Sequence, residues 1–390
     1  MSVQTTNTLP LAGYTVFEIG QNVAAPFAAQ ILGDLGAHVI KVEKPSGDDA
    51  RRWGPPDWEG AAAMFQTLNR NKTSQTCDFR DPVQVEALRK QLLEQADVVI
   101  QNFRPGVLKQ LGLDDSALRT AKPELIYCDM GAFGRGGPLS ELPGYDPLMQ
   151  AYGGLMSVTG EPGSMPVRTG YSVIDCGAGM WAAIGVLGAL LQRERKSGGE
   201  GEGRGNGARV EVSLFETALG WMQIAAAQYM ASGTSPGRHG SGAASIVPYR
   251  AFEASDGHIV VAAGNDGLFA KLCNVLGHPE WTQDPDFSGN AMRVRHRDRI
   301  DGLIQAEIQR RDRAHWLKVL RAAQVPCAPV QDTAEAFGCE QAQALGVMQD
   351  VPDSEMKLMG LPLRLNGIRP AIRTAPPALT PLRRSEGVLS

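Results

Sequence analysis

The feature that most constrains the fold is the alternation of strand-like and helix-like segments near the N-terminus. Residues 14–19 and 37–43 are rich in apolar and β-branched side chains, and residues 26–35 between them have the apolar spacing of a helix. Pro26 suits the first turn of that helix, and Gly36 suits a left-handed residue at its end. The pattern predicts a βαβ unit with two parallel strands.

The same alternation continues along the chain. It predicts strands at 74–79, 97–101, 124–130 and 208–212, and helices at 83–94, 116–121, from about Cys176 onward, and at 215–230. A parallel sheet covered by helices is therefore expected. A strand at 258–262 and helices at 268–276, 297–309 and 313–323 indicate a smaller second α/β domain. The proline-punctuated tail from Val325 is expected to run extended over the surface.

Charge and cysteine usage exclude several classes of function. With 38 basic and 42 acidic residues the net charge is only −4, too small a field to favour nucleic acid or an anionic membrane as a partner. The first ten residues lack the features of a secretory or transit signal, so a cytoplasmic location is expected. Neither the six cysteines nor the six histidines form a metal-binding pattern, and we predict no metal site and no disulfide framework.

Two glycine-containing segments need separate interpretations. The uncharged run 176–192 is shorter than the ~20 apolar residues that span a membrane and contains four glycines, which favours a buried helix. Residues 197–207, of which six are glycine, are expected to form a flexible surface loop.

Asp175 is the only charged residue between Arg168 and Arg193, at the start of the apolar helix. A carboxylate there can cap the helix, because the helix dipole and free N–H groups stabilise it. It can also act as a nucleophile, and Gly170, Gly177 and Gly179 around it would let a bulky electrophile approach. These interpretations are compatible, and residue types alone favour the cap.

Two loops at the expected carboxyl edge of the sheet are candidate ligand sites. The first, E-I-G-Q-N-V-A-A-P, has one glycine where a dinucleotide fingerprint needs three, so NAD is disfavoured. The helix that follows can still offer N–H groups to a phosphate near Ala24, or the turn can be simply a packed one. The second loop carries Asn102, Phe103 and Arg104, which suit phosphate and adenine, but an ordinary connecting loop has similar residues.

Five segments together resemble the class III coenzyme A transferases. They are VIKVEKPSGDDARRWGPP, LNRNKTS, ADVVIQNFRPGVLKQLGL, GYDPLMQAYGGLMSVTG and the Asp175-bearing GYSVIDCGAGMWAAIGVLGALLQRERKSG, and the resemblance runs in order from about Leu11 to Pro381. This family includes formyl-CoA transferases, carnitine CoA-transferases and α-methylacyl-CoA racemases. The segments GDDARRWGPP, SIVPYRAF and DGHIVVAAGN look most like the branch that uses succinyl-CoA with glutarate or similar dicarboxylates.

The resemblance implies an α/β fold with a Rossmann-like large domain that binds CoA. This domain would comprise 1–200 together with a returning 330–390 segment, with a small domain at 225–325, and two ring-shaped subunits would interlock as a homodimer. It places Asp175 on the family's catalytic aspartate. It also assigns CoA contacts to Ala24, Lys44, Asp78, Arg80, Asn102, Phe103, Arg104, Tyr145 and Asp146. The loop containing Gly240 and Gly242 aligns with one that closes over the site in relatives.

The implied reaction needs no metal or permanent cofactor, because CoA is part of the substrate and the aspartate forms a mixed anhydride with the acyl group. Val23 and Gln110 replace residues of formyl-CoA transferases, which argues against formyl-CoA and oxalate. Arg51 and Arg168 are candidates to bind an acceptor's second acid group, although either can be a surface ion pair. We therefore expect succinyl-CoA as donor and a short dicarboxylate or sulfinocarboxylate as acceptor.

Two alternatives stay open at this stage. Racemisation next to a thioester uses a Gly-His-Asp motif in relatives, whereas this chain has Gly144-Tyr145-Asp146, and tyrosine is a poor proton shuttle at neutral pH. A non-catalytic acyl-CoA-binding protein would use Asp175 only as a helix cap.

Overall fold

The computed structural model describes residues 9–196 and 205–380. By its internal contacts the chain divides into two units. Within the described residues, the first comprises 9–153, 169–196, 205–221 and 341–380, and the second comprises 154–168 and 222–340. The predicted glycine-rich loop at 197–207 lies largely outside the described residues. The domain boundaries expected from the sequence stay a prediction.

The first unit is built on a six-stranded sheet in which every pairing is parallel. The strands are β1 (Thr15–Ile19), β2 (His38–Glu43), β5 (Lys72–Thr76), β6 (Val98–Gln101), β7 (Ile126–Gly131) and β8 (Arg209–Ser213), in the spatial order β5-β2-β1-β6-β7-β8. This is the doubly wound order, in which the chain reverses direction across the sheet between β1 and β6. A two-stranded ribbon of β3 (Asp57–Trp58) and β4 (Ala61–Ala62) precedes β5.

Helices cover this sheet. They are α1 (Ala24–Asp34), α2 (Ala63–Leu68), α3 (Pro82–Gln95), α4 (Val107–Gln110), α5 (Asp115–Ala121), α6 (Asp146–Tyr152), α8 (Val173–Lys196) and α9 (Leu214–Trp221), with a 3-10 turn at Asp49–Arg52. Gly36 has a φ of 113°, as its predicted place after α1 requires. The predicted α/β class with a parallel central sheet is confirmed.

The helix α8 is long and apolar enough to cross a membrane, but it packs against other elements of the first unit. It contacts α1, β7, β8 and α9, and half of its most apolar 18-residue window is buried. Near its C-terminal end the fully buried guanidinium of Arg193 donates to Asp97 Oδ1 at 3.0 Å and to the Glu124 carbonyl at 3.1 Å. These contacts are those of a core helix.

The second unit holds a three-stranded antiparallel sheet. Its strands, β9 (Tyr249–Ala254), β10 (Gly257–Ala262) and β11 (Cys327–Pro329), lie in the order β11-β10-β9. The helices are α7 (Leu155–Val158), α10 (Gln223–Ser232), α11 (Asp266–Leu276), α12 (Asn290–Arg295), α13 (Arg297–Ile308), α14 (Arg313–Ala322) and α15 (Thr333–Gly338), with 3-10 turns at Pro279–Gln283 and Pro285–Phe287. Phe252, Ile259, Phe269 and Trp316 form part of one buried core here.

Two expectations from the sequence were wrong, and one strand of the second unit was missed. The single helix expected at 215–230 is two helices, α9 and α10, with Met222 between them. Strand β9 was not anticipated. The tail does not simply run extended, because it forms α15, α16 (Glu340–Leu345) and a hairpin of β12 (Met348–Asp350) and β13 (Lys357–Met359), whose apolar side chains bury a small core around Val351, Met356, Leu358 and Ile372.

Candidate active site

The loops after β1 and β6 meet where the sheet order reverses. The Asn102 side chain joins them, since its Oδ1 accepts from the Gln21 N–H at 3.0 Å and its Nδ2 donates to the Gln21 carbonyl at 2.9 Å. Gly20 is required for the tight turn from β1 into α1, because a Cβ there would lie 2.5 Å from the Ala25 Cβ. Ala24 begins α1 immediately afterwards and is buried. The predicted ligand edge therefore has a fixed backbone.

A buried charge cluster of Glu18, Lys41, Lys72 and Asp48 supports the first of these loops. Lys41 Nζ lies 2.6 Å from Glu18 and 2.9 Å from Asp48, and it donates to the Gly20 carbonyl at 3.1 Å. Lys72 Nζ lies 2.7 Å from the other Glu18 oxygen. Asp48 also accepts from the N–H of Asn22, whose φ is 72°.

The two lysines of this cluster respond differently to burial. Burial alone would lower the pKa of Lys41, but the charges of Glu18, Asp48 and Glu43 raise that pKa above its ordinary value. For Lys72 burial dominates and lowers the pKa to about 8, although Glu18 opposes the change. Sequence reasoning missed this cluster. The available signal was the presence of charged residues, Glu18 in TVFEI and Lys41 in HVIKVE, within strands rich in apolar residues.

Several predicted CoA-contacting residues are already paired with neighbours near these loops. Lys44 Nζ lies 2.7 Å from the Asp49 carboxylate, and both side chains are partly exposed. Arg80 forms an ion pair with Asp78 at 2.9 Å, and hydrogen bonds from Arg80 lower the pKa of the Asp78 carboxyl. These pairs leave the cations at the surface, where they can exchange partners.

The loop after β6 presents Phe103 and Arg104 differently. The Phe103 ring packs edge-on against Phe79 with 5.3 Å between ring centroids. Arg104 is exposed and lines a surface cavity that includes Gln101, Lys109, Asp129, Arg135 and Arg209.

Arg51 has extensive contacts within the first unit. Its guanidinium binds both carboxylate oxygens of Glu43 at 2.7 and 2.8 Å, donates to the Pro377 carbonyl at 3.0 Å and lies 3.9 Å from the centre of the Phe65 ring. Burial opposes ionisation of Glu43, but these bonds and the Lys41 charge lower its pKa to about 2. A guanidinium held in this way must release Glu43 before it can bind a substrate bidentately.

Asp175 lies in the first turn of α8, which begins at Val173 rather than near Cys176. The carboxylate that caps this helix belongs to Asp146, whose Oδ2 accepts from the N–H groups of Ile174 at 2.7 Å and Asp175 at 3.2 Å. Asp146 is itself the first residue of α6 and is buried. Among the described hydrogen bonds, Asp146 therefore performs the capping role that residue types favoured for Asp175.

Burial and the neighbouring Asp146 charge raise the pKa of Asp175 to about 7. The same surroundings, with Asp175 and Asp146 adding to burial, raise the pKa of the Cys176 thiol to about 11. At neutral pH, Asp175 is therefore a partly buried carboxyl that is divided between its protonated and ionised forms. When ionised it is a basic carboxylate, which favours nucleophilic or proton-accepting chemistry.

The glycines beside Asp175 serve helix packing. A Cβ at Gly177 would lie 2.8 Å from the Trp221 ring, and a Cβ at Gly179 would lie 2.8 Å from the Ala24 carbonyl oxygen. At Gly177 and Gly179, α9 and α1 therefore fill the space that the sequence suggested was open to an approaching electrophile. Around Gly170 there is open space.

Tyr145 precedes α6 and is 58% exposed, next to buried Asp146. The remaining predicted residues belong to the second unit, where Arg168 is exposed. Gly240 has a φ of 59° and donates its N–H to the Gly160 carbonyl at 2.9 Å, and Gly242 donates to the His239 carbonyl at 2.8 Å. The glycine loop is therefore folded against the 160–164 segment of its own unit.

Comparison with known proteins identifies the family. The family model described as CoA-transferase family III matches residues 11–380. Succinate–glutarate CoA-transferase of Agrobacterium fabrum is 36% identical over 349 residues, which cover 88% of this chain and 85% of that protein. Acetyl-CoA:oxalate CoA-transferase of Acetobacter aceti is 35% identical over 361 residues, with 92% and 90% coverage.

The fold agrees with these sequence matches. The crystal structure of a CAIB/BAIF family protein from Brucella suis is 38% identical and has a TM-score of 0.85, covering 95% of this chain and 97% of that one. The chain belongs to CoA-transferase family III, and it is an enzyme of that class.

Proposed function

We propose that this enzyme transfers CoA from succinyl-CoA to a short dicarboxylate or sulfinocarboxylate through an acyl intermediate on Asp175. The observation that carries the proposal is the position of Asp175 in the first turn of α8, where burial and Asp146 raise its pKa to about 7. A carboxylate that is poorly stabilised by its surroundings is a stronger nucleophile than one exposed to water.

The proposed chemistry balances without an external cofactor. An Asp175 oxygen attacks the thioester carbonyl carbon, the C–S bond breaks, and CoA leaves as a thiolate while a mixed anhydride forms. The acceptor carboxylate then attacks the acyl carbon of the anhydride, which frees Asp175 and gives an anhydride between the donor and acceptor acids. The CoA thiolate attacks the acceptor carbonyl of this anhydride, which gives the product thioester and releases succinate. Gly240 and Gly242 are proposed as substrate contacts, and N–H groups near the thioester carbonyl would stabilise the oxyanion.

The CoA moiety is proposed to bind at the reversal of the sheet order, between the loops after β1 and β6. Support comes from the rigid Gln21–Asn102 connection, the α1 N-terminus at Ala24 and the exposed Arg104. The further proposed contacts are Lys44, Asp78, Arg80, Phe103, Tyr145 and Asp146. Such a site matches the general rule for ligands in open parallel sheets.

For the acceptor, Arg51 and Arg168 are both proposed contacts, and the Arg51 guanidinium must first release Glu43, to which it is already bound. The relatives support a dicarboxylate acceptor, because their names include glutarate and oxalate. Oxalate, which the substitutions at Val23 and Gln110 argued against, therefore belongs in the screen. Mass spectrometry of CoA transfer across donor and acceptor acids is the test, and a preference for carnitine or a branched monocarboxylate would contradict this specificity.

Asp175→Asn tests the nucleophile, because the amide keeps the size of the side chain and loses the attacking oxygen. We expect loss of transfer by on the order of 10³-fold or more with CoA still bound, and an acyl hydroxamate when hydroxylamine is added to the wild type with donor. Full turnover by the variant would refute the assignment. Deuterium exchange at the α-carbon without acid-dependent transfer would instead support the racemase alternative, and CoA binding without any turnover would support the binding-protein alternative.

A cytoplasmic homodimer is the proposed form of the enzyme. Large apolar side chains are exposed on α8, α9 and α10, and the Trp181 and Trp221 rings lie 6.3 Å apart with 46% and 44% exposure. Such patches mark protein interfaces. Sedimentation at several protein concentrations tests the dimer, and a monomer at micromolar concentration would contradict it.

A further inference from the structure

One buried glutamine on α6, Gln150, links the Asp146 carboxylate to the segment that leads into α8, the helix that carries Asp175. Gln150 lies one helical turn after Asp146, is fully buried, and donates from Nε2 to Asp146 Oδ1. The other Asp146 oxygen holds the first N–H groups of α8. Asp146 therefore uses one oxygen for Gln150 and the other for the helix that carries Asp175.

The carbonyl oxygen of the Gln150 amide binds Thr169, in the segment that leads into α8. Its Oε1 accepts from the Thr169 N–H at 2.9 Å and from the Thr169 hydroxyl at 3.3 Å. The amide thus needs a donor toward Asp146 and an acceptor toward Thr169 at the same time. Glutamate lacks the donor and methionine lacks both groups, although each has nearly the same length.

This linkage fixes both the place and the surroundings of the nucleophile. The N–H of Asp175 is held by the Asp146 carboxylate, so only the rotation of its side chain remains to be set. Three donors, from Gln150, Ile174 and Asp175, hold the Asp146 carboxylate in place. Its negative charge opposes the free Asp175 carboxylate, and that repulsion is relieved as the Asp175 charge passes to the substrate on acylation.

Asp146 is the charged neighbour whose repulsion raises the pKa of Asp175. Charged side chains on the other elements packed against α8 have partners of their own: Asp34 with Arg70, Asp129 with Arg135, Arg209 with Glu211, and Glu216 with Ser213. The further titratable groups on these elements and beside Asp175 are Tyr127, Cys128, Tyr152 and Cys176.

We propose that Gln150 is a positioning residue that holds the Asp146 carboxylate on the start of α8 and thereby places and activates Asp175. This inference rests on the proposed nucleophilic role of Asp175. Gln150 touches neither substrate nor the reacting atoms in this scheme, so its loss should lower kcat much more than it changes the KM for acyl-CoA.

The test compares Gln150→Glu, Gln150→Met and Asp146→Asn by rapid-quench measurement of CoA released from succinyl-CoA between pH 5 and 9. We expect kcat to fall by about 10²-fold in Gln150→Glu and at least about 10-fold in Gln150→Met, with the acyl-CoA KM within about threefold of wild type. The acid limb of the profile should move up by about one pH unit in Gln150→Glu, which adds a negative charge, and down in Asp146→Asn, which removes one.

Gln349→Met is the matched control. The Gln349 amide also joins two chain segments, since it accepts from the Ile372 N–H at 2.9 Å and donates to the Pro370 carbonyl at 3.2 Å, but it lies on β12 among the tail residues. It should keep wild-type kcat and pH dependence. Calorimetric CoA binding and thermal unfolding identify variants that do not fold. If the added charge of Gln150→Glu prevents folding, Gln150→Met alone tests the positioning role of Gln150.

The results separate this inference from the function on which it rests. If Asp175→Asn retains turnover, the nucleophile assignment fails and the role of Gln150 fails with it. If Asp175→Asn is inactive while folded Gln150 variants keep kcat within about twofold and the wild-type acid limb, the positioning role alone is overturned.

Discussion

At the residue scale, the arrangement around Asp175 is a compromise between stability and chemistry. A carboxyl group that must ionise in a partly buried site beside a second carboxylate makes folding less favourable at neutral pH. Natural enzymes tolerate such costs where a reactive group is needed. The cost predicts a measurable dependence of stability on pH.

Asp175→Asn should therefore stabilise the folded enzyme at high pH. The folded pKa of about 7 lies above the unfolded value, so the wild type loses stability as pH rises from about 4 to 7, and the variant does not. We expect the variant to gain roughly 2–4 kcal/mol in free energy of unfolding at pH 8, and almost nothing at pH 4. Urea unfolding at both pH values measures this difference.

Asp81→Asn is a control for which the change in unfolding free energy at high pH should have the opposite sign, a loss instead of a gain. Hydrogen bonds from Gln84 and from the Val83 N–H lower the pKa of the Asp81 carboxyl at the start of α3. Its ionised form supports the fold above the unfolded pKa, and that support is lost as pH falls.

A variant at Asp175 that is no more stable than wild type at pH 8 would show that Asp175 is not held in an unfavourable environment.

At the element scale, α8 is placed by close contact with α1. The short distance at Gly179 allows the backbone carbonyl of Ala24 to touch α8. Ala24 begins α1 at the proposed CoA site and Asp175 lies one turn before Gly179, so the contact at Gly179 helps to set the spacing between the two functional elements.

Gly179→Ala should disturb this spacing. Its Cβ would lie 2.8 Å from a backbone oxygen and 3.0 Å from the Phe27 ring, so α1 must move. We expect a loss of about 1–3 kcal/mol in unfolding free energy and weaker CoA binding by calorimetry. Gly188→Ala, on the same helix with open space around it, should instead gain up to about 1 kcal/mol because alanine favours a helix. Equal effects at the two positions would contradict the packing argument.

The elements also show what a sequence can reveal. Strands β1, β2, β6 and β7 were predictable because they are rich in apolar side chains and are buried on both faces, as strands of a covered parallel sheet are. β9 was missed because its sequence, YRAFEA, alternates only weakly between apolar and polar residues, although its partner β10 follows it directly in the chain. The hairpin and short helices of the tail were missed because proline content outweighed their few apolar residues.

At the scale of the whole molecule, the tail returns to the edge of the parallel sheet. The Asn71 N–H donates to the Thr374 carbonyl at 3.2 Å, and the Thr76 N–H donates to the Thr380 carbonyl at 2.8 Å, at the two ends of edge strand β5. The tail therefore covers backbone groups that would otherwise be exposed at that edge. Asn71 is the main connection.

Asn71→Ala should weaken this closure. Asn71 has a φ of 59°, its Oδ1 accepts from the N–H groups of Arg373 and Thr374 at 2.6 and 3.1 Å, and its Nδ2 donates to Asp34 at 2.7 Å. We expect a loss of about 2–4 kcal/mol in unfolding free energy, with faster proteolysis of the tail. Asn366→Ala, at an exposed residue with a φ of 51°, should cost only about 1 kcal/mol of backbone strain. Similar losses in both variants would assign the whole effect to backbone strain.

The candidate site was predictable from sequence only in part. Asp175 and the Asn102 loop could be proposed because their residue types are unusual at their places in the strand and helix pattern. The Asp146–Gln150–Thr169 linkage could not, because it joins α6 to a segment some twenty residues later through side chains that suit many roles. Only the folded backbone shows which donor faces which acceptor.

The buried cluster of Glu18, Lys41, Lys72 and Asp48 also restricts how this protein can evolve. All four side chains are buried and their charges balance, so replacing any one of them leaves an uncompensated charge in the interior, although four apolar residues of similar volume can be tolerated. No single substitution leads safely from the charged set to the apolar one. The four residues therefore form a unit of inheritance, and drift at these positions requires simultaneous change rather than a series of steps.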